Sequence, residues 1–136
     1  MIVNNVKNIE NNFKRPMNNQ VIKTYTEERP WGKFERFTNN EETTVKIITV
    51  KPGEKLSLQY HEHRSEFWRI VSGDGRVTVG EEITEVKKGD EFFIPIGEKH
   101  TVEGGEKEMI FLEIAFGHFD EDDIIRLEDK YGRHNQ

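Results

Sequence analysis

From residue 31 onward the chain alternates short apolar-rich segments with turn signals. WGKFERF alternates apolar and polar positions and runs into NNEE. TTVKIITV has strand composition and stops at Pro52-Gly53, after which KLSLQYH alternates again. FWRIVS ends in GDG, RVTV leads to GEE, and ITEV leads to KKGD. EFFIPI is broken by Pro95 and Gly97, HTVE leads to Gly104-Gly105, and EMIFLEIAF is the last long apolar run. Period-two segments of this length, punctuated by Gly, Pro, Asn and Asp, predict strands rather than helices. Many of them in succession predict an all-β sandwich or barrel. The one helical expectation is an acidic turn within FDEDDIIRLEDKYGR, starting near Asp120.

The N-terminal text differs. Residues 1–20 carry seven of the ten asparagines and hold no clear amphipathic period. They are read as a flexible arm, or an extended segment that docks on a neighbour, ahead of a single domain over residues 21–136. The total of 136 residues fits one domain with a real core.

Composition then removes whole classes of chemistry. The chain has no cysteine, which excludes disulfides, thiolate zinc sites and cysteine nucleophiles. A formal net charge of -6 argues against nucleic acid as a partner. It leaves room for a small phosphorylated ligand, because one or two local cations can hold one phosphate. No apolar run approaches the roughly 20 residues that span a bilayer, so no membrane partner is expected. The N-terminus shows no apolar core of a secretory signal, and a cytoplasmic location is the expectation.

Candidate chemistry concentrates in LSLQYHEHRSEFW, residues 56–68. On a regular strand Lys55, Ser57, Gln59 and His61 share one face, and Leu56, Leu58 and Tyr60 the other. A polar row of this kind suits the lining of a ligand cavity. Imidazole and carboxylate are the usual ligands for zinc, iron, manganese or nickel where thiolates are missing. His61 and His63 form an obvious His-x-His pair. Gln59, His61 and His63 all lie two apart, however, so strand parity leaves the choice of pair open. His100, just after Pro95-x-Gly97, is the candidate ligand from a distant strand.

These motifs resemble those of the cupins, small double-stranded β-helix barrels that hold a metal at the mouth. The second cupin motif is matched by Gly89, DEFFI, Pro95-Ile96-Gly97, two residues and His100, with Gly104 in place of a final Asn. The first motif is matched when Gly53, EKLSL, Gln59-x-His61, EHRS, Glu66, FWRIVS and Gly73 are taken in order. The resemblance therefore implies the metal ligands Gln59, His61, Glu66 and His100. The implied cofactor is a divalent ion, zinc first, with manganese, cobalt, nickel or iron as alternatives. The implied fold is an all-β jelly-roll barrel with a short C-terminal helical segment.

Gln-x-His narrows the resemblance. Residues 29–133 resemble the C-terminal cupin domain of type II mannose-6-phosphate isomerases, a domain often fused to a mannose-1-phosphate guanylyltransferase. The shared text is RPWG at 29–32, residues 50–68, VSG at 71–73, IP at 94–95, His100 and EDDIIRLEDKYGR at 121–133. The activity implied is metal-dependent interconversion of mannose 6-phosphate and fructose 6-phosphate through an enediol. Two alternatives stand beside it: an isomerase or epimerase for another sugar phosphate, and a non-catalytic sugar-phosphate-binding cupin. Arg64 matches the family's catalytic arginine, and His63 is an acid–base candidate because imidazole titrates near neutrality. Lys46 and Lys55, with Ser57 on the same face as Lys55, are candidates for holding the substrate. Arg126 and Arg133 match the C-terminal motif and are read as pinning that segment. The sequence departs from the family at Phe67 (usually His), at Ile114-Ala115 (usually Val-Gln) and at Ile47 (usually Arg). A homodimer is expected by analogy with the family.

Overall fold

The computed structural model describes residues 8–14 and 21–133. The chain divides into two compact units, Met1–Glu41 and Glu42–Gln136. The dividing point falls between Glu41 and Glu42 rather than after residue 20.

The first unit contains β1 (Asn8–Lys14), β2 (Val21–Arg29) and β3 (Gly32–Arg36), an antiparallel sheet in that order. Residues 8–14 lie within the segment read as an arm, yet each of them pairs with β2, from Asn8↔Glu27 to Lys14↔Val21. Residues 1–7 and 15–20 lie outside the described residues.

The second unit carries β4 (Thr43–Val50), β5 (Leu58–Tyr60), β6 (Ser65–Ser72), β7 (Gly75–Val79) and β8 (Glu82–Val86). It continues with β9 (Glu91–Ile94), β10 (His100–Gly104), β11 (Met109–Phe116) and β12 (Ile125–Glu128). A four-stranded sheet runs β4-β11-β6-β9, and a five-stranded sheet runs β12-β5-β10-β7-β8. Every pairing is antiparallel, and the two sheets form a jelly-roll sandwich. The core joins them: Val50, Trp68, Ile70, Ile94, Met109 and Phe111 come from one sheet, Val77, Val86 and Val102 from the other. These are the inward positions of alternating strands, so burying them fixes strand register.

Among the described residues there is no helix. The helical turn expected near Asp120 is instead a loop that leads into β12, which pairs with β5. The sheet edge offered by β5 supplies backbone partners that a short isolated helix lacks. Among the described residues, therefore, no helix is long and apolar enough to cross a membrane.

Two glycines hold close passages. Gly73, at φ 89°, would place a Cβ 1.9 Å from the Glu108 carbonyl oxygen. Gly97, at φ 81°, turns the chain so that its N–H donates to the His61 carbonyl at 2.8 Å. The second ties the Pro95-x-Gly97 turn directly to the central stretch.

Candidate metal centre

His61, Glu66 and His100 converge, with one potential ligand atom from each lying within 4.8 Å of the others. They come from both sheets. His61 follows β5, His100 opens β10 beside it, and Glu66 lies on β6 across the sandwich. All three are 1–2% exposed.

Each imidazole is oriented by a backbone carbonyl. His61 Nδ1–H donates to the Asp123 carbonyl at 2.6 Å, and His100 Nδ1–H donates to the Glu98 carbonyl at 2.9 Å. A carbonyl can only accept, so each ring carries a proton on Nδ1 and turns Nε2 toward the site. His100 Nε2 is buried and has no hydrogen-bond partner. Burial lowers the His100 pKa, despite the nearby Glu66 carboxylate, and keeps the ring neutral. His61 Nε2 faces Glu66 Oε1 at 3.1 Å and receives an N–H from Arg64 Nη2 at 3.3 Å. Two imidazoles and a carboxylate, held by outer hydrogen bonds, fit the donor chemistry of a divalent metal such as zinc. The orphaned Nε2 of His100 is the polar atom that such an ion would satisfy.

Glu66 is the hub. Its Oε1 accepts from Arg64 Nε at 3.1 Å and its Oε2 from Trp68 Nε1 at 2.9 Å. Burial alone would push its carboxyl up. Its contacts with the His61 ring and the Glu113 carboxyl outweigh burial, and it stays well below the usual carboxylate range.

Glu113 is the residue that the sequence reading missed. It lies on β11, opposite Lys46 of β4 and Trp68 of β6, on the same inward face as Met109 and Phe111. Burial, and then the charge of Glu66, push its carboxyl well above the usual range, so the pair shares one proton and Glu113 carries it. The signal was present: a carboxylate at an inward position of EMIFLEIAF interrupts an otherwise apolar face. Glu113→Gln should retain the fold, because an amide reproduces a protonated acid's donor. A raised carboxyl contributes stability below the ordinary carboxylate range and loses it as pH rises. The metal-free variant should therefore gain in melting temperature relative to wild type as pH rises from 5 to 9. A difference that does not change with pH would show that Glu113 is not the proton carrier.

The structure places the other candidates as follows. Gln59 lies directly opposite His100, which puts both side chains on the inner face. Ser57 is buried and donates Oγ–H to Gln59 Oε1 at 2.5 Å, so it orients that amide. Arg64 is 6% exposed, donates Nη1–H to the Asp120 carbonyl at 3.0 Å and covers the Phe119 ring at 4.4 Å. Lys46 lies opposite Glu113, sits 4.2 Å from the centre of the Phe119 ring and pairs with Glu121 at 3.2 Å. His63 is exposed, and its backbone N–H donates to Asp123 Oδ2 at 3.0 Å.

Lys55 is the candidate that the structure separates from the rest. It bridges to Glu103, on the outer face of β10, whereas Gln59 pairs with inward His100. Pairing shifts by one residue between these two contacts, and a one-residue shift moves a side chain to the other face. Lys55 instead lines clefts with Arg76, Thr78 and Glu103 on one side and with Lys51, Tyr131 and Arg133 on the other.

The departures from the family pattern also separate by face. Ile47 is 62% exposed, opposite Leu112 on the outer face, and Phe67 pairs with Phe93 and Ile114 on that same face. Only Ala115 faces inward, directly opposite Glu66.

A jelly-roll sandwich with two imidazoles and a carboxylate converging inside it defines a cupin. The chain belongs to the family described as "Mannose-6-phosphate isomerase C-terminal", which it matches over residues 5–129. It is 43% identical over 107 residues to mannose-1-phosphate guanylyltransferase ManC of Salmonella typhimurium, covering 77% of this chain and 22% of that protein. It is 40% identical over 132 residues to mannose-1-phosphate guanylyltransferase RfbM of the same organism, covering 96% of this chain and 28% of that protein. The chain thus spans about a quarter of the length of these relatives. A Klebsiella pneumoniae protein with a double-stranded β-helix domain shares the fold at TM-score 0.57 and 22% identity, over 67% of this chain and 78% of its own.

These relatives correct the activity implied by the resemblance. Curated proteins similar to this chain are named mannose-1-phosphate guanylyltransferases, not mannose-6-phosphate isomerases. What stands is the coarser assignment, an enzyme-related sugar-phosphate cupin with a His/Glu/His group able to hold a metal.

Proposed function

We propose that this chain is a metal-centred cupin unit that binds the sugar phosphate handled in mannose-1-phosphate guanylyl transfer. One observation carries the reading: two imidazoles and a carboxylate meet inside the barrel, and the buried Nε2 of His100 has no other partner. Gln59 is the fourth ligand in this reading, through an amide oxygen. A divalent ion held there would bind and polarise ligand oxygens.

The surrounding residues give the site its ligand preference. Arg64 and Lys46 both lie over the Phe119 ring and supply positive charge next to the acid pair Glu66–Glu113. A phosphorylated sugar offers what such a site can take: hydroxyl oxygens for the metal and an anion for positive charge near it. His63 stands exposed at the end of the ligand-bearing turn as an acid–base group in contact with solvent. The homodimer expected by analogy is part of the same proposal. The exposed outer-face residues Val45 and Ile47 of edge strand β4 support it, and light scattering after gel filtration tests it.

The functional test is calorimetry on zinc-, manganese- or cobalt-loaded protein titrated with mannose 1-phosphate, with mannose as control. Saturable binding of the phosphate ester, lost when the metal is removed, is the expected result. If the loaded protein binds neither compound, the reading fails.

A further inference from the structure

The C-terminal strand carries a cation that nothing in the fold accounts for. Arg126 lies directly opposite Gln59 on β5, and Gln59 lies directly opposite His100 on β10. Direct partners in an antiparallel ladder project to the same face, so Arg126, Gln59 and His100 form one row across the inner face of the five-stranded sheet. The pairing shifts immediately after Arg126, between Arg126 and Glu128.

Arg126 is half-buried as a residue, and its Nε is buried with no hydrogen-bond partner among the described residues. This is notable because its segment is acidic. Each neighbouring carboxylate with a recorded partner is committed elsewhere. Glu121 pairs with Lys46, Asp123 accepts from the backbone of Glu62 and His63, and Asp129 holds Arg133. The other two cations near the metal group are engaged, Arg64 by Glu66 and Lys46 by Glu121. A guanidinium with a buried, unsatisfied donor costs stability. A residue of that kind, facing the same side as the metal ligands, is prepared for an anion that the fold itself does not supply.

We infer that Arg126 is the anion anchor of the metal site, taking the phosphate group of a ligand whose hydroxyl oxygens lie toward Gln59, His61 and His100. This rests on the metal-centred sugar-phosphate reading and adds to it the residue that selects the phosphorylated form. A guanidinium offers parallel N–H donors that match phosphate oxygens, so the contact discriminates a phosphate ester from a neutral sugar.

The experiment compares wild type with Arg126→Leu and Arg126→Gln, all loaded with the same metal and titrated with mannose 1-phosphate, inorganic phosphate and mannose. Both variants should bind mannose 1-phosphate and phosphate at least tenfold more weakly, with unchanged metal content and unchanged response to mannose. Their melting temperatures should equal or exceed that of wild type, because an unpaired donor has been removed. A purely structural arginine would give the opposite pattern, with lower melting temperature and unchanged phosphate affinity, and that result would overturn the inference. If wild type binds mannose 1-phosphate and Arg126→Leu binds it equally well, the anchor lies elsewhere while the metal-site reading survives. If loaded wild type binds neither mannose 1-phosphate nor phosphate, the reading and the anchor fall together.

Discussion

Glu66→Ala should lower the stability of the metal-free protein by about 3–5 kcal/mol and abolish metal binding, the largest effect expected of any single change at this site. The magnitude follows from what the carboxylate holds. Arg64 is 6% exposed and loses its ion-pair partner, leaving an uncompensated buried charge. The Trp68 indole N–H loses its acceptor in a position only 1% exposed. Each orphaned neutral donor adds about 1–3 kcal/mol. Part of this is offset, because Glu113 no longer faces a like charge and no longer competes for a shared proton. Glu66→Gln separates the contributions. The amide oxygen can still accept from Trp68 or Arg64, so its loss of stability should be clearly smaller, while metal affinity still falls with the lost charge. Urea denaturation followed by tryptophan fluorescence gives the stabilities. A loss below about 1 kcal/mol for Glu66→Ala would show that the core at Trp68 and Arg64 relaxes freely, contrary to its close packing.

Asp123→Ala should weaken metal binding about 10–100-fold, which corresponds to roughly 1.4–2.7 kcal/mol. Asp123 makes three contacts with one turn of the metal-bearing stretch. Its carbonyl accepts from His61 Nδ1–H at 2.6 Å, and its carboxylate accepts from the backbone N–H groups of Glu62 and His63 at 2.8 and 3.0 Å. The substitution keeps the carbonyl but removes the two bonds that hold it in place, so His61 loses its fixed orientation and tautomer. Asp123→Asn retains one good acceptor and should fall between the two. Competition against a chelating indicator measures the affinities, and the ring-nitrogen resonances of His61 report the tautomer. Unchanged affinity in Asp123→Ala would mean that His61 is held by its barrel neighbours alone.

The strands between residues 43 and 116 were legible because each is a short period-two segment ended by a residue with special backbone freedom. TTVKIITV became β4 over its whole length, and RVTV, ITEV, HTVE and MIFLEIAF lie within β7, β8, β10 and β11. The motif spacings placed His61, Glu66 and His100 in one group, because fixed strand and turn lengths put those positions at one end of the same sandwich. Two regions were not legible. β1 lies in polar, Asn-rich text, and its strand form comes from pairing with β2 rather than from its own pattern. β12 lies in acidic text with local turn propensity, and the free edge of β5 decides its conformation.

The side-chain assignments failed or succeeded for equally specific reasons. Lys55 was placed with Gln59 by alternation, and a one-residue shift in pairing, invisible in the letters, turned it to the outer face. Glu113 and Asp123 were passed over because their partners, Glu66 and the 61–63 turn, are remote in sequence. The choice among Gln59, His61 and His63 came only with the resemblance to the cupin motifs; what the sequence determined by itself was the all-β class and the absence of thiolate chemistry. These depend on composition, alternation and turn residues, all of which are local. Only the tertiary structure decided the protonated partner of Glu66, the orientation of His61 and the inward row of His100, Gln59 and Arg126. Those features depend on strand register and on contacts between distant segments, and burial then determines which groups keep their charge.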